Sequence, residues 1–403
     1  RSNSRMKKVM IVGTGYGQLP LIDACKKLGY YSIGVDFNER STGASLVDKF
    51  YHADIKDISA VLSVARSENI DGIVTMQSDL PVPTIGMVNQ ELCLVGVTYE
   101  TAMVCSNKDQ TRTALEQYSV TQPEYHIVRS IKEATDAAEK IGYPCIIKAP
   151  DSSGSRGVSK VKSSADVVAA FKDACYYSRS CEILVEQFIE GIEIGAQTFS
   201  QDGECIYCLI HNDTLCDNGF MVPNGHSYPF NQVSIDEKAV QQGIGQALNA
   251  VGLLNGPANI DLIVTPEGEV HIIEIGARIG ATCLPELTSI FTGLSWEELV
   301  IQNALGEKHK PLEIRGKACA AYVLEAPKDG ILEAVNHNYS IEDYAAYHPI
   351  IEVTVQVGDE VSIFRKGTDR IGRVVAQADT LEDAERVALE LRRQIEFVVK
   401  NNE

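Results

Sequence analysis

The sequence predicts an α/β and α+β chain in which an N-terminal doubly wound parallel sheet precedes regions built on antiparallel strands. Three observations carry that prediction. Short apolar strands alternate with helical segments over about the first hundred residues. Further on, the apolar strand Pro144–Lys148 runs into a Gly- and Ser-rich loop, and two apolar strands between Asn259 and Arg278 flank a Pro-Gly turn. At 403 residues, and roughly 100 to 200 residues per domain, the chain accommodates two to four domains.

In the first region Lys8–Val12 reads as a strand, Leu19–Leu28 as a helix and Tyr31–Asp36 as a second strand, and the segments Ala60–Asn69 and Gly72–Met76 repeat the order. The turn between the first strand and helix is Gly13-Thr14-Gly15-Tyr16-Gly17, followed by Gln18. Three readings of that turn stand side by side: a sharp strand-to-helix connection, a substrate or effector contact, or a nicotinamide dinucleotide site with Asp36 on the ribose. The spacing is Gly-x-Gly-x-Gly, not the Gly-x-Gly-x-x-Gly of the dinucleotide fingerprint.

Composition narrows the partners. Lys plus Arg number 36 against 55 Asp plus Glu, a net charge of −19 that repels a nucleic-acid backbone. No apolar run approaches the roughly 18 residues of a membrane span, and the N-terminus has no secretion-signal pattern, so neither membrane nor export is expected. Arg1–Arg5 ahead of Met6 read as an appended remnant. The 11 Cys are scattered and often sit in apolar runs, as at Cys145 and Cys283, which fits reduced thiols in a cytoplasm. Cys205 and Cys208 have metal-ligand spacing, without a second pair to complete a zinc site.

The middle of the chain carries the chemistry. Asn107-Lys108-Asp109 opens a helix, and Lys148 ends its strand beside the loop Asp151-Ser152-Ser153-Gly154-Ser155-Arg156-Gly157. The following strand, Ser159–Val161, makes this a connection between antiparallel strands and not a Walker loop, which needs Gly-Lys-Ser/Thr and a helix. Such a loop can close over phosphates, with Lys148 and Arg156 supplying charge. Glu182–Ile189 is a further strand, and Glu186 and Glu193, among apolar neighbours, suit base and ribose contacts or, alternatively, an exposed strand edge.

The strands Asn259–Thr265 and Val270–Arg278 form a hairpin about Pro266–Gly268. If Thr265 pairs with Val270, Asp261 falls opposite Glu274. Facing carboxylates are destabilising unless a cation joins them, and hard oxygen ligands point to magnesium or manganese. A register slip of one residue would turn Glu274 to the other side of the sheet. Arg278 is near enough to aim its fork at a phosphate or carboxylate.

Lys108, Lys148, the Ser-Gly-Ser-Arg-Gly loop, Glu186 to Glu193, Asp261, and Glu274 to Arg278 occur in an order that resembles the ATP-grasp superfamily. Upstream, Gly13–Asp36 and Leu46–Phe50 look like the pre-ATP-grasp domain of carboxylate–amine ligases, so the resemblance spans nearly the whole chain. Within that superfamily the chain is similar to L-amino acid ligases that make dipeptides and is related to carbamoyl phosphate synthase large-subunit-like proteins. It implies a pre-ATP-grasp domain at 1–105 and an ATP-grasp domain at 106–311 with a mobile lid at about 122–187. A C-terminal α+β region then occupies 312–403.

The resemblance further implies that Lys108, Lys148 and the loop Ser152, Ser153, Gly154, Ser155, Arg156 and Gly157 contact ATP phosphates. Glu186 and the Phe188 backbone would line the adenine slot, Glu193 would meet the ribose, and Asp261 and Glu274 would hold Mg2+ or Mn2+. Many members have Asn two residues after the second acid, where this chain has Gly276. The loop Phe220–Pro229 matches the ligases' substrate region, making His226 and Arg278 contacts to substrate or intermediate. The implied activity is ATP-dependent joining of a small carboxylate to an amine, amino acids first among them, through an acyl phosphate; a homodimer is compatible with it. A bicarbonate-using ATP-grasp reaction, a nicotinamide-dependent oxidoreductase and a noncatalytic nucleotide-binding protein are the alternatives.

Overall fold

The computed structural model describes residues 4–152, 155–216 and 222–402. The first region is a parallel sheet of Lys8–Val12 (β1), Tyr31–Asp36 (β2), Lys49–His52 (β3) and Gly72–Val74 (β4) in the order β3-β2-β1-β4. The order reverses direction at β1, which is the doubly wound arrangement the alternation predicted. Leu19–Lys27 (α1), Ile58–Glu68 (α2) and Val82–Leu92 (α3) cover it, and Tyr99–Ser106 (α4) packs on α3. The α2 helix starts at Asp57, whose carboxylate accepts from the Ala60 amide, and α4 starts at Thr98 in the same way.

The glycine turn serves the fold. Asp36 accepts from the Thr14 amide at 2.7 Å and from the Asn38 amide at 2.9 Å, so both its oxygens are committed to local turns. The Gln18 side chain, where a third fingerprint glycine would stand, bridges both polar groups of Met76 beyond β4. This internal bonding favours the connection reading of the turn over a ribose-binding acid.

After Lys108–Gln117 (α5), a second sheet contains Tyr125–Val128 (β5), Cys145–Lys148 (β6), Val158–Val161 (β7) and Ile183–Gln187 (β8), all antiparallel in the order β5-β8-β6-β7. Ile131–Ile141 (α6) and Val167–Tyr177 (α7) bury their alanine-rich faces against it. The loop after Lys148 therefore does join antiparallel strands, as the strand that follows it predicted.

The largest sheet starts with Ile192–Gln201 (β9), Glu204–Leu215 (β10) and Pro223–Tyr228 (β11). Glu237–Val251 (α8) leads to Gly256–Val264 (β12) and Val270–Gly276 (β13), and Leu284–Thr292 (α9) and Trp296–Ala304 (α10) follow. The C-terminal strands are Ala318–Leu324 (β14), Gly330–His337 (β15), Ile350–Val353 (β16), Glu360–Val361 (β17), Gly372–Ala378 (β18) and Ile395–Lys400 (β19), with Leu381–Arg393 (α11) before the last. Three of them extend the large sheet, whose order is β13-β12-β9-β10-β11-β14-β18-β16, while β17-β15-β19 form a small sheet of their own. The C-terminal region thus shares a sheet with the preceding one through the β11–β14 pairing.

The helices α1, α9 and α10 fill the space between the parallel sheet and the large one in a single apolar cluster that includes Val9, Leu21, Phe199 and fully buried Trp296. That packing fixes the parallel sheet relative to the face on which the site is built. Among the described residues no helix is long and apolar enough to cross a membrane.

Candidate functional site

A cleft of about 160 Å3 opens between the β5–β8 sheet and the β9–β13 end of the large sheet. Lys108, Lys148, Ser152, Ser155, Glu186, Phe188, Glu193, Asp261 and Glu274 all line it, so most of the residues singled out from the sequence meet in one place. Ser153 and Gly154 lie outside the described residues, as do Phe220 and Met221. Arg156 and Gly157 complete the loop behind the cleft, where Gly157 accepts from the Ala149 amide at 3.0 Å and Arg156 accepts from the Ser152 hydroxyl at 2.6 Å.

The facing acids arise by a different route from the one the turn suggested. Asp261 pairs with Glu274, as expected, but Val264 and not Thr265 is the partner of Val270. The connection, 265–269, is one residue longer than the expected 266–269, and a bulge between Leu262–Ile272 and Asp261–Glu274 leaves Ile273 unpaired and restores the phase. Without it, Glu274 would point away from Asp261.

The electrostatics of this floor favour a cation. Two lysines face five lining carboxylates: Glu186, Glu193, Asp213, Asp261 and Glu274. Burial, and then Glu274 and Asp213, push the Asp261 carboxyl well above the ordinary carboxylate range. Glu193 is raised to about 7 by burial and by Asp213. A triphosphate would be repelled by such a floor unless a hard cation joined it. The donor set, all carboxylate oxygen at Asp261 and Glu274, fits Mg2+ or Mn2+.

The lysines are held from both sides of the cleft. The α5 helix begins where the Lys108 amide donates to the Pro150 carbonyl at 2.7 Å. Its ammonium then donates to the Ser152 carbonyl at 2.6 Å and lies 3.3 Å from Glu274 Oε1. Lys148 is buried and pairs with Glu186, whose second oxygen accepts from Arg112 Nε at 3.0 Å. Burial lowers the Lys148 pKa against the pull of Glu186. For Glu186 burial works the other way, but Arg112 and Lys148 outweigh it and hold its carboxyl below the usual range. Both Glu186 oxygens therefore have cationic partners in addition to their place on the cleft wall.

The two proposed substrate contacts sit at the margin. The Gly- and Pro-containing stretch around His226 was expected to be a loop, but it is strand β11, paired on both sides. Gly225 makes this possible by close approach: a Cβ there would come within 2.5 Å of the Tyr322 ring. His226 Nδ1 lies 2.6 Å from Asp213 Oδ1, and His211 Nδ1 lies 2.7 Å from the same atom. Burial depresses the His211 pKa, so the neutral ring donates through Nδ1 and leaves Nε2 buried with no hydrogen-bond partner. These three residues also have the spacing of a metal-binding group, but the short shared hydrogen bonds account for them.

Arg278 does not point its fork into the cleft. Its Nε and Nη2 donate to the two oxygens of Asp79 at 2.9 and 3.0 Å, and its Nη1 is buried without a partner. Asp79 follows β4 and shares an adjoining hollow with Lys108 and Glu274. The pair explains Gly276: a Cβ there would lie 3.0 Å from Arg278 Cζ and 3.2 Å from Asp79 Oδ1.

Sequence reasoning missed Asp79, Arg112, His211 and Asp213. A signal existed for three of them. Asp79 lies just past the C-terminal end of a parallel strand, where ligands of doubly wound sheets gather. His211 and Asp213 alternate on one face of a strand otherwise rich in apolar residues. Arg112 was marked only by its place one helical turn after Lys108.

Comparison with known proteins places the fold. Residues 141–286 match the model of the ATP-grasp domain, and residues 323–400 match that of the L-amino acid ligase C-terminal domain 2. A solved phosphoribosylglycinamide synthetase from Anaerococcus prevotii is 27% identical, with a TM-score of 0.78 over 98% of this chain and 100% of that one. An L-amino acid ligase structure from Bacillus licheniformis has the same fold, with a TM-score of 0.82 at 21% identity over 99% and 100% of the two chains. The carbamoyl phosphate synthase large chain of Thermoanaerobacter pseudethanolicus is 26% identical over 330 residues, which is 76% of this chain and 30% of that protein. The chain therefore spans about three-tenths of the length of that relative.

Proposed function

Since residues 141–286 match the ATP-grasp domain, we propose that the chain is an ATP-dependent carboxylate–amine ligase that forms an amide or peptide bond between small molecules, with amino acids as the first class of substrate. The observation that carries this reading is the placement of Asp261 opposite Glu274 on the floor of a cleft whose wall presents Lys108 and Lys148. The ligase-type C-terminal domain supports it.

In this reading Lys108 and Lys148 bind the phosphates, and Lys108 also draws the Ser152 loop toward Glu274. The apolar wall of Ile146, Leu262 and the Phe188 segment takes the base, with Glu193 at the ribose. Asp261 and Glu274 would hold Mg2+ or Mn2+, which when bound neutralises phosphate charge and orients the transfer. Gly276 offers no third side-chain ligand, and the space beside it belongs to Arg278.

A carboxylate oxygen of the first substrate attacks the terminal phosphorus of ATP, and the bond to ADP breaks. The acyl phosphate is then attacked at carbon by the amine; its carbon–oxygen bond breaks, phosphate leaves and the nitrogen loses a proton. At the margin of the cleft Arg278 is held by Asp79 and keeps Nη1 for a substrate carboxylate or intermediate, with His226 as the second contact. Asp213 orients His226 through Nδ1, leaving Nε2 as the nitrogen available to substrate. Closure of the Ser152–Gly157 loop excludes the water that would hydrolyse the acyl phosphate.

A phosphate-release screen over pairs of amino acids and small carboxylates, with product masses, tests the proposal. A pair-dependent product lighter by one water than its two parts supports it. ADP release stimulated by bicarbonate alone would replace it with a carboxylating reaction, and ATP binding without stimulation by any pair would leave a binding protein.

A further inference from the structure

Arg112 is fully buried on α5, one turn after Lys108, and has no part in the reaction proposed above. Its guanidinium makes an unusual set of bonds. Nη1 donates to the Ile272 carbonyl at 3.1 Å and to Gln122 Oε1 at 3.2 Å, Nη2 donates to the Ile273 carbonyl at 2.6 Å, and Nε donates to Glu186.

Consecutive carbonyls of a regular strand point to opposite edges. Both can reach one guanidinium here because the bulge turns the unpaired Ile273 outward, toward the free edge of a strand that ends its sheet. The Ile272 amide is likewise bonded outward, to the Thr121 carbonyl at 3.1 Å. A bulge carbonyl turned into the protein interior needs a donor, and Arg112 supplies it. The same bulge brings Glu274, the next residue, to face Asp261.

The geometry points to Arg112 as the positioning residue of the metal site: by satisfying the Ile272 and Ile273 carbonyls it holds the bulge that aims Glu274 at the cation, and through Glu186 it ties that bulge to the nucleotide wall. This rests on the metal–nucleotide reading of the cleft. Substrate contact is no part of the role, since the guanidinium is buried behind the cleft.

The test uses Arg112→Lys, which keeps a charge for Glu186 but cannot bridge both carbonyls, and Arg112→Met. Binding of ADP alone, and of Mn2+ in the presence of ADP, is measured by calorimetry and by electron paramagnetic resonance on each full-length variant. Arg112→Lys is expected to weaken Mn2+ by about 10- to 100-fold, the range for residues that orient metal ligands, while ADP alone changes much less. Raised Mg2+ should then restore turnover. Equal weakening of ADP and Mn2+, unchanged Mn2+ affinity, or failure of both variants to fold would each overturn the proposal by reducing Arg112 to a packing role. If the wild-type protein itself binds no Mn2+ with ADP, the failure belongs to the reading of the cleft.

Discussion

Arg278 closes its fork on Asp79, a residue 199 positions earlier that reaches it from the end of the parallel sheet. The bond links the two sheets at the margin of the cleft, next to the strand that carries Glu274. It also occupies the space where relatives are expected to carry an asparagine.

Restoring that asparagine should therefore harm the protein. The Gly276→Asn side chain would start 3.0 Å from Arg278 Cζ, and relieving such overpacking costs about 1–3 kcal/mol. The expected outcome is a lower melting temperature with no gain in Mn2+ affinity, read by thermal unfolding and metal titration on the same samples. Tighter metal binding in this variant would mean that the position is an open ligand site.

Asp79→Asn should expose the other half of the relationship. It leaves a buried guanidinium without its anion, at a cost of about 2–3 kcal/mol, somewhat below that of breaking a fully buried pair. Denaturant unfolding reads this directly. The double variant Asp79→Asn with Arg278→Met should recover part of the loss, since neither charge is then left alone; a loss equal to the sum of the two single changes would show that the residues do not act as a pair.

The hairpin was legible because its strands are apolar and its turn holds Pro and Gly, and the acids stood at matching distances from that turn. The bulge was not legible: nothing in Ile272-Ile273 marks an unpaired residue, and the assumed four-residue connection led to the same facing pair for a different reason. The clustering of Lys108, Lys148, Glu186 and Glu193 followed from their order along the chain. Their pairing did not, because Arg112 competes for Glu186 from a helix whose rotation the sequence alone does not determine. His226 looked like a loop residue since Gly225 and Pro223 disfavour strands, and only the close approach of Tyr322 explains the outcome.

The buried Glu193 predicts a pH dependence. Its folded-state pKa, about 7 against an ordinary 4.5, means that the folded chain keeps a proton the unfolded chain releases. Its contribution to stability is therefore lost as pH rises from about 4.5 and levels off above about 7. Glu193→Gln should raise the melting temperature of the ligand-free protein at pH above about 7, and raise it less at a pH near 4.5. An equal shift at both would show that folding does not raise the Glu193 pKa.

The most direct test of the whole account is Mn2+ binding in the presence of ADP, followed by electron paramagnetic resonance in the wild-type protein and in Asp261→Asn with Glu274→Gln. The account predicts a bound-ion spectrum for the wild type that disappears in the double variant while the protein stays folded. Retention of the bound signal without these two carboxylates would contradict it.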